Sequence, residues 1–136
     1  MVIVDTTVWI DYFGGVANHE TAWLDQALGR DRLGLTDLIL CEVLQGIRSE
    51  SAFADVRNEL MKLRLFAAGG SGLGIAAAYN YRALRQRGFT VRKTIDCWIA
   101  TFCLISGHKL LHRDRDFDPF EKVLGLKVVH PWKFAL

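Results

Sequence analysis

The sequence predicts an α/β fold with a central, mostly parallel sheet flanked by helices on both faces. Three observations predict it. Short apolar runs suited to strands alternate with segments of helical spacing along the chain; the first run is strongly β-branched; and glycines or polar capping residues stand at nearly every junction.

Val2-Ile3-Val4 reads as a buried strand, and Thr6 to Phe13 shifts to helical spacing before Gly14-Gly15 stops it. A helix from about Glu20 to Leu28 precedes the strand-like Leu33-Gly34-Leu35. Asp37 is placed to cap the next helix, through Cys41 and Glu42 to Gly46, and Ser49 to cap another that ends near Arg64. Gly69-Gly70-Ser71-Gly72 reads as a loop before a helix from Ile75 to Arg87, stopped by Gly88. Thr94 then caps an apolar helix ending at Gly107. Lys109-Leu110-Leu111 and Leu126-Lys127-Val128-Val129 form two further strands, separated by an acidic loop and a turn at Pro119.

With 136 residues, 51% hydrophobic and 24% charged, the chain has the size and balance of one folded domain spanning 1–136. It contains no internal repeat or low-complexity linker. The start Met-Val-Ile-Val-Asp lacks the basic and apolar regions of a signal peptide. The longest apolar stretch, Ile95 to Ile105, contains Asp96 and falls short of the ~20 residues that cross a bilayer. A cytoplasmic protein with no membrane association is expected, with Cys41, Cys97 and Cys103 as reduced core thiols. A net charge of +2 permits an anionic partner without identifying one.

Several carboxylates sit where apolar or neutral residues would be expected. Asp5 directly follows the first strand; taken alone it reads as an N-cap. Glu42 lies within Leu38-Ile39-Leu40-Cys41-Glu42-Val43-Leu44, where a solvated face is hard to draw. Asp96 opens an otherwise apolar helix, where the helix dipole alone could account for it. Asp114 and Asp116 follow the strand at Leu110-Leu111 and on their own describe a charged loop. Together these acids occupy strand ends or the following helices, the region where functional groups gather in parallel α/β sheets. Crowded carboxylates repel and require a compensating cation, and a hard oxygen set suits Mg²⁺ or Mn²⁺ better than zinc.

The segments Val4-Asp5-Thr6-Thr7-Val8-Trp9, Cys41-Glu42-Val43-Leu44-Gln45-Gly46, Ile95-Asp96-Cys97-Trp98-Ile99-Ala100 and Leu111-His112-Arg113-Asp114-Arg115-Asp116-Phe117 resemble the successive acidic motifs of PIN-domain VapC toxins. The resemblance spans nearly the whole chain. It implies a PIN-like fold and a Mg²⁺-dependent endoribonuclease, the toxic component of a type II toxin–antitoxin system. It also implies that Asp5, Glu42, Asp96 and Asp114 form the catalytic metal site, with Thr6 and Asp116 supporting it. Mn²⁺ is an expected substitute. An RNA substrate, a cognate VapB-type antitoxin over the cleft, a homodimer and participation in operator binding follow from the same resemblance. His112 departs from it, standing where many relatives carry Thr or Ser.

Arg82, Arg85, Arg87, Arg92, Lys93, Arg113 and Arg115 are the cations available to hold phosphates, although each also reads as a solvated charge. Trp9, Trp23, Trp98 and Trp132 fit core or interface positions better than base stacking, and the four histidines show no metal-binding spacing. Two alternatives remain at this level. Asp5 and Thr7 faintly match an aspartyl-phosphate phosphatase, but the usual second Asp two residues later is missing. A non-catalytic PIN-like module that binds protein or RNA is the other.

Overall fold

The computed structural model describes residues 1–134. Its centre is a four-stranded parallel sheet in the order β3-β2-β1-β4, formed by β1 (Val2–Val4), β2 (Leu33–Thr36), β3 (Arg64–Phe66) and β4 (Lys109–Leu111). All four residues of β2 are buried, which requires cover on both faces of the sheet. Ile3, Val4, Leu35, Leu110 and Leu111 form the middle of the core. Gly34 lets the strands close up: a Cβ there would come within 2.7 Å of Ile3 Cδ1 and 2.9 Å of the Phe66 ring.

The helices are α1 (Thr6–Phe13), α2 (His19–Ala27), α3 (Asp37–Gln45), α4 (Glu50–Leu60), α5 (Ser71–Gln86), α6 (Thr94–Ser106) and α7 (Asp118–Leu124). Short 3-10 turns follow at Arg115–Phe117 and Pro131–Phe134. Among the described residues no helix is long and apolar enough to cross a membrane. The expected alternation of strands and helices is present, and β1, β2 and β4 lie where the sequence places them.

Several local expectations are corrected. The helix begun at Ser49 ends at Leu60, and the chain then forms edge strand β3. Its helix-forming residues are overruled by pairing with β2 and by Phe66, whose ring lies 5.4 Å from that of Phe102. Leu126–Val129 makes only an isolated bridge, Val128 to Leu110, instead of a strand. Pro119 lies inside the first turn of α7, where its missing N–H costs nothing, and not in a turn between strands. Thr36 caps α3, while Asp37 reaches across the fold to accept a 2.9 Å hydrogen bond from the Ala68 N–H. Lys93 occupies the cap position of α6 without a side-chain cap bond, so Thr94 is its first helical residue. Cys97 and Cys103 are buried thiols as expected, whereas Cys41 is exposed because it faces away from the side of α3 that buries Ile39 and Val43.

Helix α6 carries Asp96, and its placement is fixed by α5 and the loop before α5. Asn80 Nδ2 donates to Thr101 Oγ1 at 2.9 Å, and Trp98 Nε1 donates to the Ala68 carbonyl at 2.6 Å. Trp98 also packs against the Cβ-less backbone of Gly74. These polar ties give a largely apolar helix one rotational setting, with Asp96 turned inward at 4% exposure.

Candidate functional site

The carboxyl ends of β1 and β4 lie side by side, and acids stand just beyond them. Asp5 leaves β1 as the N-cap of α1, and its N–H donates to the Leu111 carbonyl at 2.9 Å, tying it to β4. Asp5 Oδ2 accepts from the Thr7 N–H at 3.1 Å and the Thr7 hydroxyl at 2.7 Å. The capping reading of Asp5 is therefore correct for one oxygen. Oδ1, however, is buried with no hydrogen-bond partner among the described residues, an expensive condition for an N-cap alone. Burial pushes the Asp5 carboxyl from 3.8 up to about 6; the Thr7 bonds work against that shift and the nearby Glu42 adds to it.

Glu42 comes from α3. The Thr6 hydroxyl donates to its Oε1 at 2.7 Å, so two consecutive threonines orient two different acids. The side chain is half-buried, less enclosed than its apolar sequence surroundings suggest. Asp96 enters from the first turn of α6, and its Oδ2 is likewise buried without a partner. Burial first, then the charges of Asp5 and Asp114, raise its carboxyl to about 7 despite the opposing effect of Lys93.

Asp114 caps the 3-10 turn after β4, with Oδ1 accepting from the Asp116 N–H at 2.9 Å. Carboxylate oxygens of Asp96, Asp114 and Asp116 all lie within 4.8 Å of one another, so Asp116 stands inside the acidic group and not merely beside it. Cations border this side: Arg92 lies 3.0 Å from Asp116, and Lys93 lies 4.0 Å from Asp114. Arg113, by contrast, turns away to Asp11 at 2.8 Å and Glu20 at 3.8 Å. His112 does take part in hydrogen bonding, since its Nδ1 accepts from the Asp114 N–H at 3.1 Å; burial lowers its pKa and keeps the ring neutral.

The fold thus brings Asp5, Glu42, Asp96, Asp114 and Asp116 together from four separate chain segments, with Thr6 as the hydroxyl support. Sequence reasoning did not assign Thr7 to this site, yet it holds Asp5, and its hydroxyl also accepts from the Arg113 N–H at 3.1 Å. Its signal was its place two residues after a strand-end Asp, the spacing of an Asx turn. Trp9 is core, Trp98 is an α6 anchor, and Trp132 is exposed, with no tryptophan among these acids.

The chemistry available is that of an all-oxygen site. Two buried, unpartnered carboxylate oxygens, on Asp5 and Asp96, fit a hard divalent cation. The same acids without a cation would be forced toward protonation, as the raised pKa values of Asp5 and Asp96 show.

Comparison with known proteins bears on the family and the fold. Residues 2–123 match the PIN domain family model. The chain is 28% identical over 129 residues to a VapC ribonuclease of Mycobacterium bovis and to ribonuclease VapC11 of Mycobacterium tuberculosis, covering 93% of this chain and 96% of each relative. Among solved structures, VapBC2 of Rickettsia felis bound to a promoter DNA fragment matches with a TM-score of 0.74 at 13% identity, covering 95% of this chain and 98% of that one. VapBC-1 of nontypeable Haemophilus influenzae matches with a TM-score of 0.73 at 16% identity, covering 97% and 99%. At these identities the structural likenesses speak for the fold alone.

Proposed function

The chain belongs to the PIN domain family, and on that premise we propose that it is the ribonuclease toxin of a type II toxin–antitoxin pair. Residues 1–136 are read as one such domain, acting in the cytoplasm as a Mg²⁺-dependent endoribonuclease. The observation that carries this reading is the acid cluster itself. Buried Asp5 Oδ1 and Asp96 Oδ2 lack any partner among the described residues, beside Glu42 and Asp114 at the end of a parallel sheet.

In this reading Asp5, Glu42, Asp96 and Asp114 hold Mg²⁺, directly or through water, and Mn²⁺ substitutes for it. When bound, the ion supplies Lewis acidity toward a phosphoryl oxygen and makes water a better nucleophile for phosphodiester hydrolysis. The chain's own residues do the rest. Thr6 and Thr7 fix the directions of Glu42 and Asp5 with neutral donors, so neither acid loses charge to its support. Asp116 keeps Arg92 at the pocket edge, and Lys93 stands beside Asp114; both cations are placed to draw a phosphate toward an otherwise repellent acidic site. Low solvent access at Asp5 and Asp96 strengthens every electrostatic interaction made there.

The relatives named VapC ribonuclease support RNA as substrate, and the structures of VapBC complexes support a VapB-type antitoxin as partner. A homodimer, and joint binding of operator DNA by the toxin–antitoxin complex, belong to the same proposal; one similar complex is bound to promoter DNA.

The test is incubation of purified total RNA with the protein in Mg²⁺, in chelator, and with Asp96→Asn, with products followed by gel. Cleavage by the wild type in Mg²⁺ alone is expected, with Asp96→Asn reduced by on the order of 100-fold or more. Intact RNA in all conditions would favour a PIN-like binding module instead.

A further inference from the structure

The amino ends of the strands, opposite the acid pocket, carry a basic trough. A cavity of about 510 Å³ opens there, walled by Trp23 and bordered by Arg30, Lys109 and Lys133. A second hollow of about 310 Å³, lined by Arg32 and Lys127, shares Val2 and Lys109 with the first, so the two adjoin. Asp31 is the one acid among the described lining residues, and its carboxylate lies 3.4 Å from Arg30. Among the described residues Arg32, Lys109, Lys127 and Lys133 make no ion pair.

The backbone forces some of these charges together. Leu110 bridges Val128 in parallel, which sets Lys109 and Lys127 side by side one residue earlier, on one face of the sheet. Like charges placed so disfavour the fold unless an anion lies between them. Cations spread along an open trough with an aromatic wall suit a chain of phosphates with a base against Trp23, more than a single compact anion.

We propose that this trough is a second RNA-binding site, which grips backbone phosphates away from the bond being cleaved. The identity of the polymer rests on the ribonuclease reading. Strands β1 and β4 are three residues long, so the trough and the acids are separated by a sheet height of about 10 Å. An RNA that engages both must wrap over the sheet edge at residues 126–129, which selects for long or folded substrates over short ones.

The experiment is titration of fluorescently labelled poly(U) in chelator, at several salt concentrations, with wild type, K109Q/K127Q, K133Q and, as a control just beyond the end of α4, K62Q. Expected are about 10-fold weaker binding by K109Q/K127Q and a salt slope shallower by about one to one and a half, with K62Q unchanged. K133Q, which lies outside the sheet, is expected to move affinity in the same direction and keeps the test valid if the strand variant does not fold. Affinity and salt slope equal to wild type in the folded variants would overturn the proposal. A wild type that binds poly(U) through the trough yet leaves total RNA intact with Mg²⁺ would refute the nuclease reading and keep the trough.

Discussion

The two walls of the acid pocket are held by different chemistry. Asp5 and Glu42 receive hydrogen bonds from the hydroxyls of Thr7 and Thr6, both at 2.7 Å. Asp114 and Asp116 instead face Lys93 and Arg92. A hydroxyl sets the direction of a carboxylate while leaving its charge available, whereas a cation neutralises the acid and competes with any ion it is meant to hold. On the proposed nuclease reading, the first wall is therefore the one suited to fixed, strong ligation. On the same reading the second is adjustable, its cations free to move from acid to phosphate, because the Arg92 side chain is 75% exposed while its Asp116 partner is only 12% exposed.

The sharpest way to break this comparison is to remove a hydroxyl from the first wall. Thr7→Val keeps the side-chain shape but leaves Asp5 Oδ2 with only the backbone N–H bond, and it deprives the Arg113 N–H of its acceptor. If the proposed function holds, loss on the order of 10–100-fold in Mg²⁺-dependent cleavage is expected, the range for removing an outer support of a metal ligand. Thr7→Ser should restore most of it, since it returns the hydroxyl without the methyl group. Equal activity in all three proteins would mean that burial alone, not the hydroxyl, orients Asp5.

A second test uses protons in place of mutations. Folding raises the carboxyls of Asp5 to about 6 and Asp96 to about 7, so the folded chain holds these protons more tightly than the unfolded one. The resulting stabilisation is fully present below the unfolded value of 3.8 and is lost as pH rises through the folded values. His112 acts in the opposite sense, because burial keeps it neutral and acid must charge it on unfolding. The difference between wild type and Asp96→Asn is thus the clean readout. In chelator, Asp96→Asn should melt above the wild type at pH 8, by a margin that shrinks toward pH 5, and Mg²⁺ should narrow the gap at pH 8 by stabilising the wild type. A margin that does not change with pH would sink the claim that Asp96 is held near its titration point by burial and its acidic neighbours.

These features were legible in the sequence to different depths. Asp5 and Asp96 were conspicuous because an acid after a β-branched strand, or in an apolar helix, violates the local pattern that surrounds it. Glu42 was conspicuous for the same reason, yet its half-exposure was not, since the apolar residues around it follow α3 and do not report which of its faces is covered. Asp116 could only be ranked as support, because its closeness to Asp96 depends on how the 3-10 turn after β4 meets α6. Strand β3 was hidden in a run of helix formers and exists through its pairing with β2. Asp37 looked like a cap because its partner, the Ala68 N–H, is 31 residues away. The trough is the extreme case: its cations lie between Arg30 and Lys133, and only the parallel bridge at Leu110 brings Lys109 and Lys127 together.

The smallest expected effect is on the second wall, and it is informative for being small. Arg92 hydrogen-bonds Asp116 from a solvent-exposed position, and that bond holds its guanidinium above the usual arginine range, a sign of mutual attraction across water and not of enclosure. Exposed pairs of this kind contribute little to a fold, so Arg92→Gln should leave the melting temperature nearly unchanged. It should, however, free Asp116 to face Asp96 and Asp114, tightening half-saturation by Mg²⁺ by less than about 5-fold. The same change removes a phosphate contact, so RNA affinity in chelator should weaken and its salt slope fall by less than about one. Opposite movements of metal and RNA affinity in one variant would mark Arg92 as a cation shared between acid and phosphate. Weakening of both would instead place it as a support for Asp116, and the second wall would then be as fixed as the first.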